Sequence, residues 1–365
     1  MNKDISQIIY AARLLMVGGL VYLHFGTLPG SENDPYEGIY SVTNVIPEFI
    51  NSMFVYIFFS SVPVLSVISG MLFFRKDVFQ YKQELRKRFF TIALPAWTWA
   101  ALWLIFGYTL LVIGKPYNIF QGFSSYIQEP TYLMILNGII GITEMPYAYQ
   151  FWFIHDLILT SILSPIIYWG IRSFKHNFVI LIGLLWFFQQ VYFPFFSNNI
   201  LFFFTIGAWI SLSGKQLPVN YNNIVPAIVV FLLLVIGRVC IPVYFNGELP
   251  YEFQYECITR IAGLYSFYKI LCFMSLKESK LFSILIKYSG YSFFIFAFHF
   301  PFVRFLKQFF IVIPGSTSST GQFIIWLFVP LLTIILAIAT AKTLNATLPK
   351  VFKFLNGQRA GITTK

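Results

Sequence analysis

Apolar residues along this chain fall into long runs that are separated by short polar stretches. A helix needs about 20 predominantly apolar residues to cross a bilayer, and segments near this length can be placed ten times. They lie near 6–26, 50–74, 89–113, 151–171, 178–195, 199–213, 222–241, 257–276, 289–307 and 321–345. The pattern therefore predicts an all-α integral membrane protein with about ten transmembrane helices.

The composition also favours a membrane protein. Of the 365 residues, 58% are hydrophobic and only 11% are charged, whereas charged residues make up about 25% of an ordinary soluble domain. The longest pieces outside the predicted spans lie near 27–49, 75–88 and 114–150 and in the C-terminal tail. They are too short to bury a core of their own, which takes about 40 residues or more. We therefore expect a single polytopic membrane domain over residues 1–365.

Lysine and arginine gather in every second predicted loop, for example near 75–88, 172–175 and 277–287, and at both termini. Because cytoplasmic loops collect Lys and Arg, this alternation predicts that both termini are cytoplasmic, as an even number of spans requires. The net charge of +11 is thus a topology signal. No zinc-finger pattern or groove of arginine and aromatic residues indicates nucleic-acid binding.

Several catalytic and processing signatures are missing from the sequence. It contains no glycine-rich P-loop, no HExxH and no GxSxG, so it does not support an ATPase, a zincin or a serine hydrolase. Cys240, Cys257 and Cys272 have neither the pairing of a disulfide framework nor the spacing of a zinc site, and no metal is expected. The first segment lacks a small-residue cleavage signal, so we interpret it as a retained span.

Arg13 and His24 are the most informative pair, because both lie in the first long apolar segment. Eleven residues of helix turn through about 1100° and rise about 16 Å, so both side chains point from one helix face at different depths. Ionisable residues within a span usually face a bundle interior or a watery cavity. His24 is therefore either a general base or acyl carrier, or a histidine hydrogen-bonded near the interface, and Arg13 is either functional or structurally paired.

The other ionisable residues inside the predicted spans are few: His155, Asp156, Arg238, Arg260, Lys269, His299, Arg304 and Lys307. Asp156 is the only carboxylate among them. Because an unpaired charge within the membrane costs several kcal/mol, Asp156 is a candidate to neutralise Arg13. The basic side chains near segment ends can instead reach the interface by snorkelling, and these are Arg238, Arg260, Arg304 and Lys307.

A basic cluster between residues 75 and 88 precedes the third predicted span and ends in Arg86, Lys87 and Arg88. Arginine forks match phosphate oxygens, so the cluster could hold the phosphates of an anionic cofactor in the cytoplasm. The positive-inside rule explains the same residues as a topology determinant. Both interpretations stay open on the sequence pattern.

Five motifs in the right order give the chain a resemblance to the membrane acyltransferase-3 family over nearly its full length. They are Arg13 with His24, Ser69 with Gly70 at a small-residue turn in SVISGMLFF, Pro95 after the basic run, Trp152 with Phe153 and Pro165, and Ser292 with His299. The family often has two arginines three positions apart at the entry to the third helix. Here Arg88 is followed by FFT, so the chain departs from that pattern.

The resemblance implies a bacterial enzyme of the cytoplasmic membrane that transfers an acyl group from acyl-CoA, with acetyl-CoA as first candidate, to a sugar hydroxyl. The acceptor would be a cell-surface polysaccharide or its lipid-linked precursor, with membrane lipid and envelope polysaccharide synthesis proteins as possible partners. The implied residue roles are His24 as base or acyl carrier, Arg13 at the thioester, Arg86, Lys87, Arg88 and Ser69 in donor binding, and Trp152, Asp156 and His299 in orienting the acceptor.

Two alternatives remain beside the enzyme. One is a transporter of glycan or lipid intermediates that uses the same polar cavity without acyl-transfer chemistry. The other is a non-catalytic membrane subunit of an envelope synthase. The acidic outer loops favour a neutral glycan over a phosphate-rich polymer, and the position of His24 favours transfer on the outer face.

Overall fold

The computed structural model describes residues 3–41, 45–76, 78–113, 131–143, 146–189, 197–214, 217–245 and 249–361. Over these residues the chain is helical and has no β-strand, which confirms the predicted all-α class. Much of the predicted outer loop near 114–150 lies outside the described residues, as does the end of the predicted segment 178–195.

The described residues form sixteen α-helices, which we number in chain order. They are α1 (Lys3–Leu23), α2 (Val45–Phe58), α3 (Ser61–Phe73), α4 (Tyr81–Arg88), α5 (Leu94–Val112), α6 (Tyr132–Ile140), α7 (Trp152–Ile162), α8 (Ser164–Phe174), α9 (His176–Phe187), α10 (Asn198–Leu212), α11 (Ile224–Cys240), α12 (Glu252–Leu276), α13 (Lys280–Tyr288), α14 (Ser292–Ile311), α15 (Ser319–Thr347) and α16 (Pro349–Leu355). A π-helical turn, Phe89–Ala93, joins α4 to α5. Short 3-10 turns, Tyr149–Phe151 and Ser289–Tyr291, lead into α7 and α14.

Seven helical stretches of the described chain are long and apolar enough to cross a membrane. They are Asp4–Leu23, Val45–Phe73, Tyr81–Leu110, Ile224–Phe245, Glu252–Leu276, Lys280–Ile311 and Ser319–Thr347. The pair Tyr149–Ile162 and Ser164–Phe174, bent by 58°, adds an eighth if it forms one span. The protein is therefore a multi-pass integral membrane protein.

The two remaining predicted segments, near 178–195 and 199–213, correspond to shorter apolar helices, α9 and α10. A helix of 12 or 15 residues is shorter than the about 20 residues that cross a bilayer. The count of ten spans and the cytoplasmic placement of the termini therefore stay predictions.

Helix α1 is surrounded by the rest of the molecule. It packs against α2, α3, α12, α13, α14 and α15. Ala11, Met16 and Val21 on this helix are fully buried. These neighbours come from both ends of the chain, and together they enclose the polar side chains of α1 and the cavities described below.

Helices α3 and α10 approach each other closely at two glycines. A Cβ atom added to Gly70 would collide with the carbonyl oxygen of Phe204, and one added to Gly207 would collide with the carbonyl oxygen of Val67. Both Ser69 and Gly70 lie within helix α3, so the prediction of a small-residue turn at this place is wrong. The small residues serve close helix packing, which is how such residues are commonly used between membrane helices.

We expect Gly70→Ala to destabilise the protein by about 1–3 kcal/mol, because the added methyl group overpacks the contact between α3 and α10. Gly18→Ala is a matched control, since a Cβ at this helical glycine would meet no atom within 4 Å. Equilibrium unfolding of both variants in detergent measures the difference. Equal stability of the two variants would contradict this account of the α3–α10 contact.

Candidate active site

Two cavities lie one behind the other along α1. The first, which we call the histidine cavity, has a volume of about 730 Å³ and is lined by His24 together with Tyr36, Tyr149, Trp152 and Arg304 among others. The second, the arginine cavity, has a volume of about 360 Å³ and has Arg13 among its lining residues. Both are of a size that holds part or all of a small substrate.

Helix α1 supplies one stripe of side chains to both cavities. Arg13 and Val17 line the arginine cavity, and Leu20 and His24 line the histidine cavity. These positions are spaced by three or four residues, which places them on one helix face. The prediction that Arg13 and His24 share a face is confirmed, but the two side chains lie in different cavities.

Two phenyl rings separate the cavities. Phe153 from α7 and Phe296 from α14 line both of them. Their ring centroids are 6.2 Å apart, in an edge-to-face arrangement. The two rings therefore lie where the cavities adjoin.

His24 is hydrogen-bonded to a second histidine that is 275 positions away in the sequence. The Nδ1 atom of His24 lies 2.9 Å from Nε2 of His299, and His299 Nδ1 lies 2.6 Å from the carbonyl oxygen of Phe296. His299 is fully buried and His24 nearly so. His299 therefore supports His24 from behind, a contact that sequence spacing did not indicate.

The partners decide the tautomers of the two neutral rings. A carbonyl oxygen only accepts, so we assign the proton of His299 to Nδ1, which leaves its Nε2 as an acceptor. His24 must then donate from Nδ1, and its Nε2 keeps a lone pair on the side away from His299. This is the orientation that a catalytic base requires, with a third group fixing the tautomer.

A proline near His299 changes the hydrogen bonding of α14. Pro301 has no N–H and cannot donate to the carbonyl oxygen of Ala297, four residues before it. Trp103 Nε1 donates to that oxygen at 2.9 Å and Gln150 Nε2 donates to it at 3.3 Å. These bonds fix the turn that carries His299 and place Gln150 in the wall of the histidine cavity.

Aromatic residues surround His24. Its ring lies 5.2 Å from that of Phe300 and 6.2 Å from that of Tyr149, edge to face in both cases. The hydroxyl of Tyr36 donates to the carbonyl oxygen of Leu23 at 2.6 Å, which braces the end of α1. Burial raises the pKa of Tyr36 further above neutrality, and its hydroxyl is a donor at neutral pH as in any tyrosine. Tyr36 and Tyr149 both line the cavity beside Trp152.

Basic side chains from three parts of the chain line the arginine cavity. They are Arg13 from α1, Arg75, Lys87 and Arg88 from the segment around α4, and Arg359 from the C-terminal tail. Glu84 is the one carboxylate among the lining residues described, and it forms an ion pair of 3.0 Å with Lys76. The cavity is therefore strongly cationic.

Arg88 is held by polar groups on two helices. Its Nη1 donates to Ser69 Oγ at 2.7 Å and to Ser161 Oγ at 3.2 Å, and its Nη2 donates to the carbonyl oxygen of Ser69 at 2.7 Å. The rings of Phe73 and Phe204 lie 4.6 and 5.6 Å from its guanidinium carbon. Ser69 thus belongs to this site by positioning Arg88.

The RKR run does not act as one unit. Lys87 and Arg88 line the arginine cavity, whereas Arg86 is exposed outside it and lies 6.0 Å from the ring of Phe90. Residues two apart on a helix point in directions that differ by about 200°. The geometry therefore separates Arg86 from the residues that could contact a ligand in this cavity.

Arg359 joins Arg13 and Arg88 although the sequence indicated only a basic tail. Its guanidinium carbon lies 5.0 Å from the ring of Phe293, and its Nη1 donates to the carbonyl oxygen of Asn356 at 3.3 Å. Burial and, to a lesser extent, the charge of Arg13 lower the pKa of Arg359 to about 9. The group is still charged at pH 7, and an anion in the cavity would relieve the repulsion.

The expected ion pair between Asp156 and Arg13 is wrong for the described residues. Asp156 lies 2.9 Å from Nδ1 of its neighbour His155 and accepts from the backbone N–H of Ser197 at 2.8 Å. It is fully buried and lines neither cavity. Its carboxylate turns toward the N-terminal end of α10, where it satisfies a backbone donor that the helix leaves unpaired.

Snorkelling to the interface, which the sequence left open for Arg238, does not occur. Arg238 is 1% exposed and is ion-paired with Glu252 and, at 3.8 Å, with Glu256. Helix α12 begins at Glu252, five residues before the predicted span, and brings both carboxylates to Arg238. Glu256 also pairs with Arg260 at 2.7 Å, and Arg260 lines the histidine cavity.

The described chain has no cluster of three histidine, cysteine or acidic residues arranged to hold a metal ion. A family model described as an acyltransferase domain matches residues 9–342. The chain belongs to the membrane acyltransferase-3 family. It is therefore an acyltransferase, it uses an acyl donor, and the motif resemblance is confirmed.

One relative of this family member is the succinoglycan biosynthesis protein ExoH of Rhizobium meliloti (strain 1021). The two sequences are 25% identical over 99% of this chain and 94% of the relative. No solved structure matches the chain. Family membership thus supports a membrane acyltransferase of polysaccharide biosynthesis, and the residue roles have to be argued from the two cavities.

Proposed function

We propose that this protein transfers an acyl group, with acetyl as the first candidate, from acyl-CoA to a sugar hydroxyl of a cell-surface polysaccharide or its lipid-linked precursor. The observation that carries the proposal is that His24 lines one cavity while hydrogen-bonded to the buried His299, next to a second cavity lined by arginines. The first offers a base for the acceptor hydroxyl, and the second offers cations for a phosphorylated donor. The family supports acyl transfer itself.

The arginine cavity is the donor site in this proposal. Coenzyme A carries phosphate groups, and arginine forks bind phosphate oxygens bidentately. Arg13, Arg88 and Arg359 converge there from three separate segments. Arg13 lies on the α1 stripe below Val17 and Leu20, so it is the guanidinium placed to act nearest the thioester end of the donor.

The histidine cavity is the acceptor site. Tyr36, Tyr149 and Trp152 present aromatic surface and hydroxyl groups in its wall, which suits the apolar faces and hydroxyls of a sugar ring. We place His299 behind His24 as a positioning residue, because its contact is with the imidazole and the described lining of the cavity does not include it. Trp152 keeps its proposed role in orienting the acceptor.

The chemical step balances with His24 as the base. Nε2 of His24 accepts the proton of the sugar hydroxyl while the oxygen attacks the thioester carbonyl carbon. The imidazolium that forms is stabilised through its Nδ1–H bond to His299. The C–S bond then breaks, and the departing CoA thiolate takes the proton back from Nε2. General base catalysis of this kind contributes about 10²- to 10⁴-fold in rate.

The distribution of charge supports a proposed placement in the membrane. Ser6 near the start of α1, the basic segment around α4 and Arg359 of the tail all line the arginine cavity, so both ends of the described chain lie on one side of the molecule. Because cytoplasmic segments are rich in Lys and Arg, we place this side in the bacterial cytoplasm. The acceptor then binds toward the outer face of the cytoplasmic membrane.

Transfer of radiolabel from [¹⁴C]acetyl-CoA into surface polysaccharide tests the proposal. Membranes that contain the wild-type protein should label the polysaccharide, and Arg13→Ala at matched abundance should not. Label that never appears, or that appears equally with Arg13→Ala, would reject the mechanism. Movement of unmodified glycan without acyl-CoA would instead support the transporter alternative.

A further inference from the structure

The charged residues of the histidine cavity suggest what kind of acceptor or acyl group it holds. Three charged side chains line it beside His24, namely Asp34, Arg260 and Arg304. They come from the loop after α1, from α12 and from α14. Each of the two guanidinium groups needs an anionic partner, because an unpaired charge within a protein is costly.

The two arginines differ in their partners. Arg260 is satisfied by Glu256, at 2.7 Å. Arg304 forms no ion pair with any carboxylate of the described residues, and its guanidinium carbon lies 4.9 Å from the ring of Phe300. Asp34, the carboxylate in the same cavity, accepts the backbone N–H of Tyr36 at 3.0 Å and is not within ion-pair distance of Arg304.

Arg304 also lies close to the proposed chemistry. Phe300 is one helical turn before it on α14, and the ring of Phe300 is 5.2 Å from the ring of His24. A single ring therefore separates the guanidinium from the imidazole. A substrate whose hydroxyl or acyl carbon lies at His24 can reach Arg304 with a substituent a few bonds away.

We propose that Arg304 binds an anionic group of the substrate, a carboxylate or a phosphate, while the reacting group lies at His24. The guanidinium presents a fork of donors that matches such a group bidentately, and the bonds that form are charge-assisted. The anion belongs either to the acceptor sugar or to the far end of a dicarboxylic acyl chain. This inference rests on the proposed acyl transfer and replaces the expectation of a wholly neutral substrate.

Paired probes that differ in charge distinguish the two sources. In the acceptor arm, purified full-length protein is assayed for transfer of label from acetyl-CoA to methyl β-D-glucuronide and, separately, to methyl β-D-glucoside. In the donor arm, the acceptor is methyl β-D-glucoside, and transfer of label from succinyl-CoA is compared with transfer from acetyl-CoA. We expect kcat/KM of wild type to be about tenfold higher for the charged member of one arm, which corresponds to about 1.4 kcal/mol.

Arg304→Gln should bring that selectivity ratio to about one, and Arg304→Lys should restore part of it. The ratio is the readout because a general loss of activity leaves it unchanged. Arg172→Gln is the matched control, since Arg172 also stacks on an aromatic ring, Tyr168 at 5.4 Å, but is exposed outside both cavities. Selectivity that is absent from wild type in both arms, or that persists in Arg304→Gln, would overturn the proposal.

The melting temperature of the same proteins separates failure of this inference from failure of the proposed function. A ligand that binds the folded state raises the melting temperature whether or not it reacts. If no probe pair supports transfer but the charged probe stabilises wild type and not Arg304→Gln, the result supports the anion site and rejects acyl transfer from acyl-CoA. If transfer occurs without charge selectivity or charge-dependent stabilisation, the result supports acyl transfer and rejects the anion site.

Discussion

Replacement of His24 with alanine should lower the rate of acyl transfer by about 10²- to 10⁴-fold, the usual contribution of a general base. The reason is that Nε2 of His24 is the one lone pair that the His24–His299 pair presents to the cavity, because His24 Nδ1 is engaged with His299. Rates of label transfer from acetyl-CoA, measured at saturating donor and matched membrane abundance, give the value. His176→Ala is the control, since His176 is exposed at the start of α9.

The contribution of His299 should be visible in the same assay. His299→Gln retains an acceptor for His24 Nδ1–H through its side-chain oxygen, whereas His299→Leu leaves that N–H buried and unpaired, which costs about 1–3 kcal/mol. We expect kcat to fall more in His299→Leu than in His299→Gln, with little change in KM. The pH dependence of kcat should differ between the two variants. Full activity of His24→Ala would contradict the role of His24 as the base. Equal pH profiles in both His299 variants would contradict the tautomer assignment. Label retained on the quenched protein would instead favour an acyl-histidine over a base.

Removal of a guanidinium group from the arginine cavity should weaken donor binding strongly. Arg88→Gln and Arg359→Gln should each raise KM for acetyl-CoA by about tenfold to 100-fold with a smaller effect on kcat. Hydrogen bonds to charged groups contribute about 1.5–3 kcal/mol, and each 1.4 kcal/mol is tenfold in affinity. Steady-state kinetics over a range of donor concentrations measures both constants. Arg359 lies beyond the region that the family model matches. The prediction for Arg359→Gln therefore rests on the structure and not on the family.

A donor without phosphates provides the control for the arginine cavity. Acetyl-pantetheine lacks the phosphates of CoA, so its KM should be high with wild type and should rise little further in Arg88→Gln or Arg359→Gln. Arg86→Gln should leave both donors unaffected, because Arg86 is exposed outside the cavity. If the arginine variants raise KM equally for the two donors, the guanidinium groups do not bind the phosphates, and their role is structural.

Local periodicity accounts for what could be predicted correctly about α1. The spacing of Arg13 and His24 places them on one face of any helix, whatever surrounds it, and the structure confirms that face. The apolar runs likewise indicated membrane helices because about 20 apolar residues have few other stable environments. The short helices α9 and α10 and the bent pair α7 and α8 show where length alone does not decide whether a segment spans.

Contacts between distant segments account for the predictions that failed. Asp156 was expected to neutralise Arg13 because it was the one carboxylate in a predicted span, but a carboxylate pairs with whatever donor the fold brings to it, here His155 and the N–H of Ser197. Arg238 lies near the end of a predicted segment and could have reached the interface, but helix α12 begins earlier than its apolar run and brings Glu252 and Glu256 to Arg238. Neither outcome can be calculated from spacing along one helix.

Residue patterns along the chain were enough to predict an all-α membrane protein of the acyltransferase-3 family with Arg13 and His24 on one face of α1. Helix packing was needed to show that His299 supports His24, that Arg359 joins Arg13 and Arg88, and that Phe153 and Phe296 line both cavities. Helix geometry depends on neighbours within a few residues, whereas these contacts join residues far apart in the sequence and depend on how all the helices pack together.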